Sequence, residues 1–186
     1  MNRNVQDVFR QMIAGETYDP QQLSAERLRA QCLCHQYNQL SPQETLARQQ
    51  CLRELLGFIG EQVCIEQPFH CDYGCNIKLG ARTFLNYHCT MLDCAPITLG
   101  DHVLCGPNCS FYTAIHPLSP EERQTDLERA LPIVIGDNVW LGGNVTILPG
   151  VTIGANSVVG AGSVVTKDLP PRVLAVGQPA RIVRTL

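Results

Sequence analysis

The chain has 186 residues, enough for one sizeable core with a small appended lobe and too few for two large independent domains. Its net charge of -3 supplies no cationic field of the kind that nucleic-acid binding requires. No apolar run reaches the length of a membrane span, Met1 to Arg10 carry no leader-like stretch, and ten cysteines without a leader point to free thiols in a soluble, cytoplasmic protein.

Residues 1–60 are rich in Gln, Glu, Arg and Leu and poor in β-branched residues, which predicts a lobe of two or three short helices. Asp19 before Pro20 reads as an N-cap and first-turn pair. Ser41, Pro42 and Glu44 read as a capping box ahead of a helical run that ends near Gly57.

From residue 61 to 186 the pattern changes. Apolar residues fall six apart at Leu79, Leu85 and Met91, at Leu99, Cys105 and Phe111, and at Ile135, Leu141, Ile147, Ile153, Val159 and Val165. Neither a helix nor an alternating strand has this period. Small or β-branched residues follow most anchors by four, among them Thr83, Cys89, Val103, Cys109, Val139, Val145, Ser157 and Ser163, and suit a cramped interior corner. Glycines directly after the anchors, at Gly80, Gly100, Gly106, Gly136, Gly142, Gly154 and Gly160, are expected to supply positive φ to the turns. Each hexad is then one short strand and one corner, three hexads make a coil, and the coils stack into a triangular solenoid. Ile65, Cys71 and Ile77 carry the same spacing into a less regular first coil.

Between Leu99 and Ile135 the frame runs for 36 residues with only two clean hexads, so residues 113–132 must leave the stack as one long loop. A long excursion from a regular scaffold is a usual place for function. It carries His116, which this position raises above His35, His70, His88 and His102 as an acid-base group. Cys71, Cys75, Cys89, Cys105 and Cys109 fall on anchor or corner positions and read as small hydrophobes rather than zinc ligands; no metal is expected. After Val139 the charges are Lys167, Arg172, Arg181 and Arg184 against Asp168 alone, a basic end that suits either a solvated edge or a polyphosphate ligand.

Several stretches together are recognisable: Ala14-Gly15-Glu16 with Tyr18-Asp19, Arg27-Leu28-Arg29-Ala30, Cys71-Asp72-Tyr73-Gly74, Phe84-Leu85-Asn86, Met91-Leu92-Asp93, Thr113-Ala114-Ile115-His116-Pro117, Ile135-Gly136-Asp137-Asn138-Val139-Trp140 and Gly160 to Asp168. Over essentially its whole length the chain resembles the hexapeptide-repeat sugar O-acetyltransferases of the maltose, galactoside and nodulation-factor type. The resemblance implies a mainly β fold, a left-handed parallel β-helix with a small N-terminal helical lobe. It also implies a homotrimer with an active site at each subunit interface, and acetyl-CoA as co-substrate. Residue by residue, it gives His116 the role of catalytic base and sets Asp19, Asp72, Asn86 and Asp93 toward the acceptor or reacting centre. Trp140 matches a tryptophan beside the active site, and Gly143, Ala161, Thr166, Lys167, Arg181 and Arg184 match positions that line the coenzyme channel. Gly143 stands where some relatives carry serine, and Cys94 where some carry a second acid.

The implied reaction is direct acetyl transfer from acetyl-CoA to a hydroxyl of a sugar such as maltose, glucose or a galactoside. A hydroxyl is almost wholly protonated at neutral pH, so attack on a thioester needs a base such as neutral imidazole, and Glu128 is a candidate to orient it. The loop backbone or Asn86 are candidate donors to the oxyanion. A non-sugar acceptor (serine, an antibiotic or an amino sugar) on the same scaffold is the alternative within enzymes, and a non-catalytic β-helical binding scaffold the alternative outside them.

Overall fold

The computed structural model describes residues 3–186. Three helices open the chain, α1 (Arg3–Ile13), α2 (Ser24–Gln39) and α3 (Thr45–Leu55), with a 3-10 turn at Pro20–Leu23. Asp19 caps that turn by accepting the Gln21 N–H at 2.9 Å, as the Asp-Pro pair predicts. The capping box forms only in part. Glu44 accepts the Ser41 N–H at 2.7 Å, but both residues sit in a turn ahead of the helix, whose first residue is Thr45. Among the described residues no helix is long and apolar enough to cross a membrane.

The rest is a parallel β-helix whose strands, two to three residues long until the final pair, stack into three faces. The first face begins earlier than the repeat pattern shows, at Phe58–Ile59, and continues through Ile77–Leu79, Ile97–Leu99, Ile133–Ile135 and Thr152–Ile153. The second runs from Cys64–Ile65 through Phe84–Leu85, Leu104–Cys105, Trp140–Leu141 and Val158–Val159 to Val173–Gly177, and Ala180–Thr185 closes it antiparallel. The third holds His70–Cys71, Thr90–Leu92, Ser110–Tyr112, Thr146–Ile147 and Val164–Val165. Strands are this short because each hexad spends the rest of its residues on a corner. The anchors all point inward and are buried, and the interior hydroxyls of Thr83, Ser157 and Ser163 are satisfied by backbone carbonyls at 2.6–3.0 Å.

The glycines serve a different purpose from the one their spacing suggests. None of Gly80, Gly100, Gly106, Gly136, Gly142, Gly154 or Gly160 has positive φ; that conformation falls two positions later, on residues such as Arg82, His102, Asn108, Asn138, Asn144 and Asn156. The glycine is required because the next coil lies against its Cα: a Cβ at Gly136 would stand 2.6 Å from the Ala155 nitrogen. Cys75 also departs from the expected corner role, for it is exposed while Asn76 is buried. The reason is an extra pair of residues in that corner. His70 and Lys78, and Thr90 and Thr98, lie on equivalent rungs eight residues apart, whereas Thr146 and Thr152 are six apart. The excursion leaves at the same corner of the next coil, between Ser110–Tyr112 and Ile133–Ile135, and carries a short hairpin (Ala114–Ile115 with Arg129–Ala130) and one helical turn, Pro120–Arg123.

All irregularity of the solenoid therefore gathers on one edge. There the N-terminal lobe docks through a second, smaller core in which Val8, Met12, Tyr18 and Leu23 pack on Tyr73, Cys94, Ala95 and Ala130.

Candidate active site

The thickened edge and the lobe enclose a cavity of about 400 Å³. His116 stands on its wall just past the outgoing strand of the excursion hairpin, 63% exposed, and also faces a second cavity of about 560 Å³ beneath the excursion loop. Its Nε2 lies 3.7 Å from Oε2 of Glu128, just beyond hydrogen-bond distance. Glu128 is buried at the returning end of the same excursion, so the loop supplies both partners.

Asp72, in the eight-residue corner, forms the opposite wall. One of its oxygens accepts both Nε (2.9 Å) and a terminal nitrogen (2.8 Å) of Arg27 from α2, and the Cys94 thiol lies 3.6 Å from the other. The carboxylate in turn holds the Arg27 guanidinium above its ordinary value. Burial pushes the Cys94 thiol and the Tyr18 and Tyr73 phenols above their usual ranges, and each keeps its proton at working pH. Among the described residues no group of three His, Cys, Asp or Glu side chains could hold a metal ion.

Asp93 does not line this cavity. It is fully buried, and its carboxylate accepts the backbone N–H groups of Asp72, Tyr73 and Asn76 at 2.8–3.2 Å. Burial raises its pKa to about 6 in spite of these donors. It shapes the corner that presents Asp72 instead of facing the cavity itself. Asp19 is likewise spent, on the Gln21 and Gln22 amides; its neighbours Pro20 and Gln21 line the cavity in its place.

Asn86 sits half-buried on a different corner, where its side chain accepts the Tyr87 N–H at 2.8 Å. Trp140 projects from the middle of the second face, 55% exposed. Gly143 and Ala161 follow on the edge after that face, and Thr166, Lys167, Arg181 and Arg184 are exposed on the last coil and the closing hairpin. None of these lines the His116 cavity, so within one chain His116 and Asp72 come together while the residues matched to the coenzyme channel stay apart. Lys167, Arg181 and Arg184 make no salt bridge among the described residues, and Gly143 and Ala161 themselves add no side chain beyond a methyl group to their edge. A phosphate-bearing ligand with a long flexible arm fits such an edge.

Sequence reasoning gave no role to Arg27, Tyr18 or Tyr73. The Arg-Leu-Arg-Ala stretch flagged the helix that carries Arg27, but nothing in it pointed to Asp72.

Residues 11–60 match the family model described as maltose acetyltransferase hexapeptide capping motif, and residues 132–167 match bacterial transferase hexapeptide (six repeats). A galactoside O-acetyltransferase of Escherichia coli is 42% identical over 88% of this chain and 81% of its own. The crystal structure of a maltose O-acetyltransferase from Clostridium difficile superposes with a TM-score of 0.95 at 43% identity, covering 96% of this chain and 97% of that one. A hexapeptide-repeat acetyltransferase from Vibrio cholerae, solved in complex with acetyl coenzyme A, is 47% identical with a TM-score of 0.90, over 95% of this chain and 97% of that one.

Proposed function

The chain belongs to the hexapeptide-repeat acetyltransferases, and on that premise we propose that it moves the acetyl group of acetyl-CoA onto a hydroxyl of a sugar, with His116 as general base. One observation carries this reading: the excursion sets an accessible imidazole beside a buried carboxylate on the wall of a cavity that also presents Asp72 and Arg27. With Nε2 turned to Glu128, the Nδ1 lone pair is free to take the acceptor proton while the acceptor oxygen attacks the thioester carbonyl. The tetrahedral intermediate then collapses, and the departing sulfur of coenzyme A takes the proton from the imidazolium. Glu128 holds the ring and stabilises its charged form between the two transfers. Asp72 and Arg27 offer an acceptor and several donors to sugar hydroxyls.

The coenzyme half of the site comes from a second copy in a homotrimer. The second face supports this, because Leu104, Trp140, Val158 and Leu174 occupy consecutive outward rungs, and Leu104 and Trp140 are 49% and 55% exposed. Packing that row on a neighbour brings Trp140, Gly143 and the cationic end toward another chain's His116. Ten unpaired cysteines and the use of acetyl-CoA fit a cytoplasmic setting.

The test is thiol release from acetyl-CoA across glucosides, galactosides, maltose and amino acids with wild type and His116→Ala. A general base is worth about 10²–10⁴ in rate, so the variant should lose that much kcat with its melting temperature unchanged, as its exposed side chain predicts. Activity within about threefold of wild type would remove His116 from the role. Faster acetylation of serine than of every sugar would remove the acceptor class.

A further inference from the structure

Catalysis by His116 leaves unexplained a buried polar group that contacts the cavity residue Glu128 from behind, the phenol of Tyr18. It belongs to the N-terminal lobe, is 2% exposed, and is tied to Glu128 at three points. Its N–H donates to the Glu128 carbonyl at 3.0 Å, its carbonyl accepts the Glu128 N–H at 3.1 Å, and its hydroxyl donates to Oε1 of the Glu128 side chain. The hydroxyl thus occupies one carboxylate oxygen and leaves Oε2 as the oxygen that faces His116.

We propose that Tyr18 is a positioning residue for acetyl transfer, its hydroxyl holding the Glu128 carboxylate in the rotamer that faces His116. This rests on the reading of His116 as the base. The other titratable group against Oε1 is the Cys94 thiol, 3.9 Å away and a weak donor. Asp72 lies beyond that thiol and its charge is matched by Arg27; Tyr73 closes the cavity floor, and no hydrogen bond joins its phenol to Glu128 among the described residues. The Tyr18 hydroxyl is therefore the strong donor on a buried carboxylate, and a charge-assisted bond of that kind dictates side-chain geometry. A Phe at position 18 keeps the ring packing and both backbone bonds and deletes only the hydroxyl.

Steady-state kinetics on Tyr18→Phe, Glu128→Gln, the double variant and His116→Ala decide the matter. Tyr18→Phe should lower kcat about tenfold with KM for acetyl-CoA unchanged and the melting temperature down by a few degrees from the lost buried hydrogen bond, and the double variant should be no slower than Glu128→Gln alone, because the hydroxyl acts only through that carboxylate. Wild-type kcat in Tyr18→Phe, or independent losses that multiply in the double variant, would each overturn the proposal. If His116→Ala itself keeps its activity, the underlying reading of the base fails; if His116→Ala is inactive and Tyr18→Phe is not, only the positioning role fails.

Discussion

Gly142→Ala tests whether the hexad glycines serve stacking or dihedral freedom. A Cβ at this position would lie 2.5 Å from the nitrogen and 2.8 Å from the Cα of Ala161, both backbone atoms that no rotamer change can move. Ordinary contact begins near 3.4 Å, so the two coils must part by about 0.9 Å, which stretches the Gly142 N–H to Val159 carbonyl bond from 2.8 Å to beyond hydrogen-bonding range. An unmade buried backbone bond costs about 1–3 kcal/mol and overpacking a similar amount, so about 3 kcal/mol is expected. For a chain of this size that corresponds to a fall of roughly 6–12 °C in melting temperature. Asn144→Gly is the matched control. Asn144 has φ +58, and glycine relieves that left-handed strain while loosening the unfolded chain, so the change should stay within about 1 kcal/mol. Thermal unfolding by circular dichroism at matched concentrations reads both. A Gly142→Ala protein melting within about 2 °C of wild type would refute the stacking argument, because no overlap of this size could then exist.

Asp93 gives a pH-dependent stability. Its folded pKa of about 6 lies above the ordinary 3.8, so its contribution is fully present below about pH 4 and is lost as pH rises toward 6. The difference in unfolding free energy between wild type and Asp93→Asn should shrink by about 3 kcal/mol across that window and stay level above it; parallel curves would contradict the assignment. Replacing Lys167, Arg181 and Arg184 singly by alanine should raise KM for acetyl-CoA by about fivefold each, the scale of exposed charge contacts, with acceptor KM unmoved. Unaltered coenzyme affinity in all three would take them out of the channel. Light scattering should give three times 20.5 kDa, and Trp140→Asp should yield a folded, inactive monomer. An active monomer would refute the shared site.

The solenoid was legible because an inward anchor every sixth residue is a demand no other fold makes. The excursion was legible too, as the interval from Leu99 to Ile135 that the hexads do not fill. Subtler signals went unread. Cys71 and Leu79 are eight apart, a visible sign of the enlarged corner that presents Asp72, and Met91 and Leu99 repeat it in the next coil. Arg27 with Asp72 and Tyr18 with Glu128 join positions 45 and 110 residues apart, and side-chain contacts of such range leave no periodic mark. Asp93 came toward the reacting centre through the resemblance alone, and nothing in the sequence marks that its carboxylate is taken up by backbone N–H groups. The glycines misled similarly: both a tight turn and a close backbone approach select for a missing Cβ, and only coordinates separate them.

The excursion departs from one corner and rejoins the stack on the rung it would have occupied without it, Ile133 beside Ile97. Strand pairing is consequently blind to how long the detour is. Doubling such a loop adds only about 0.6 kcal/mol of closure entropy, less than a single buried hydrogen bond typically returns. Descendants of this chain are thus free to lengthen or trim the tip between Pro117 and Leu127, changing what overhangs the cavity while the coils beneath inherit no trace of the change.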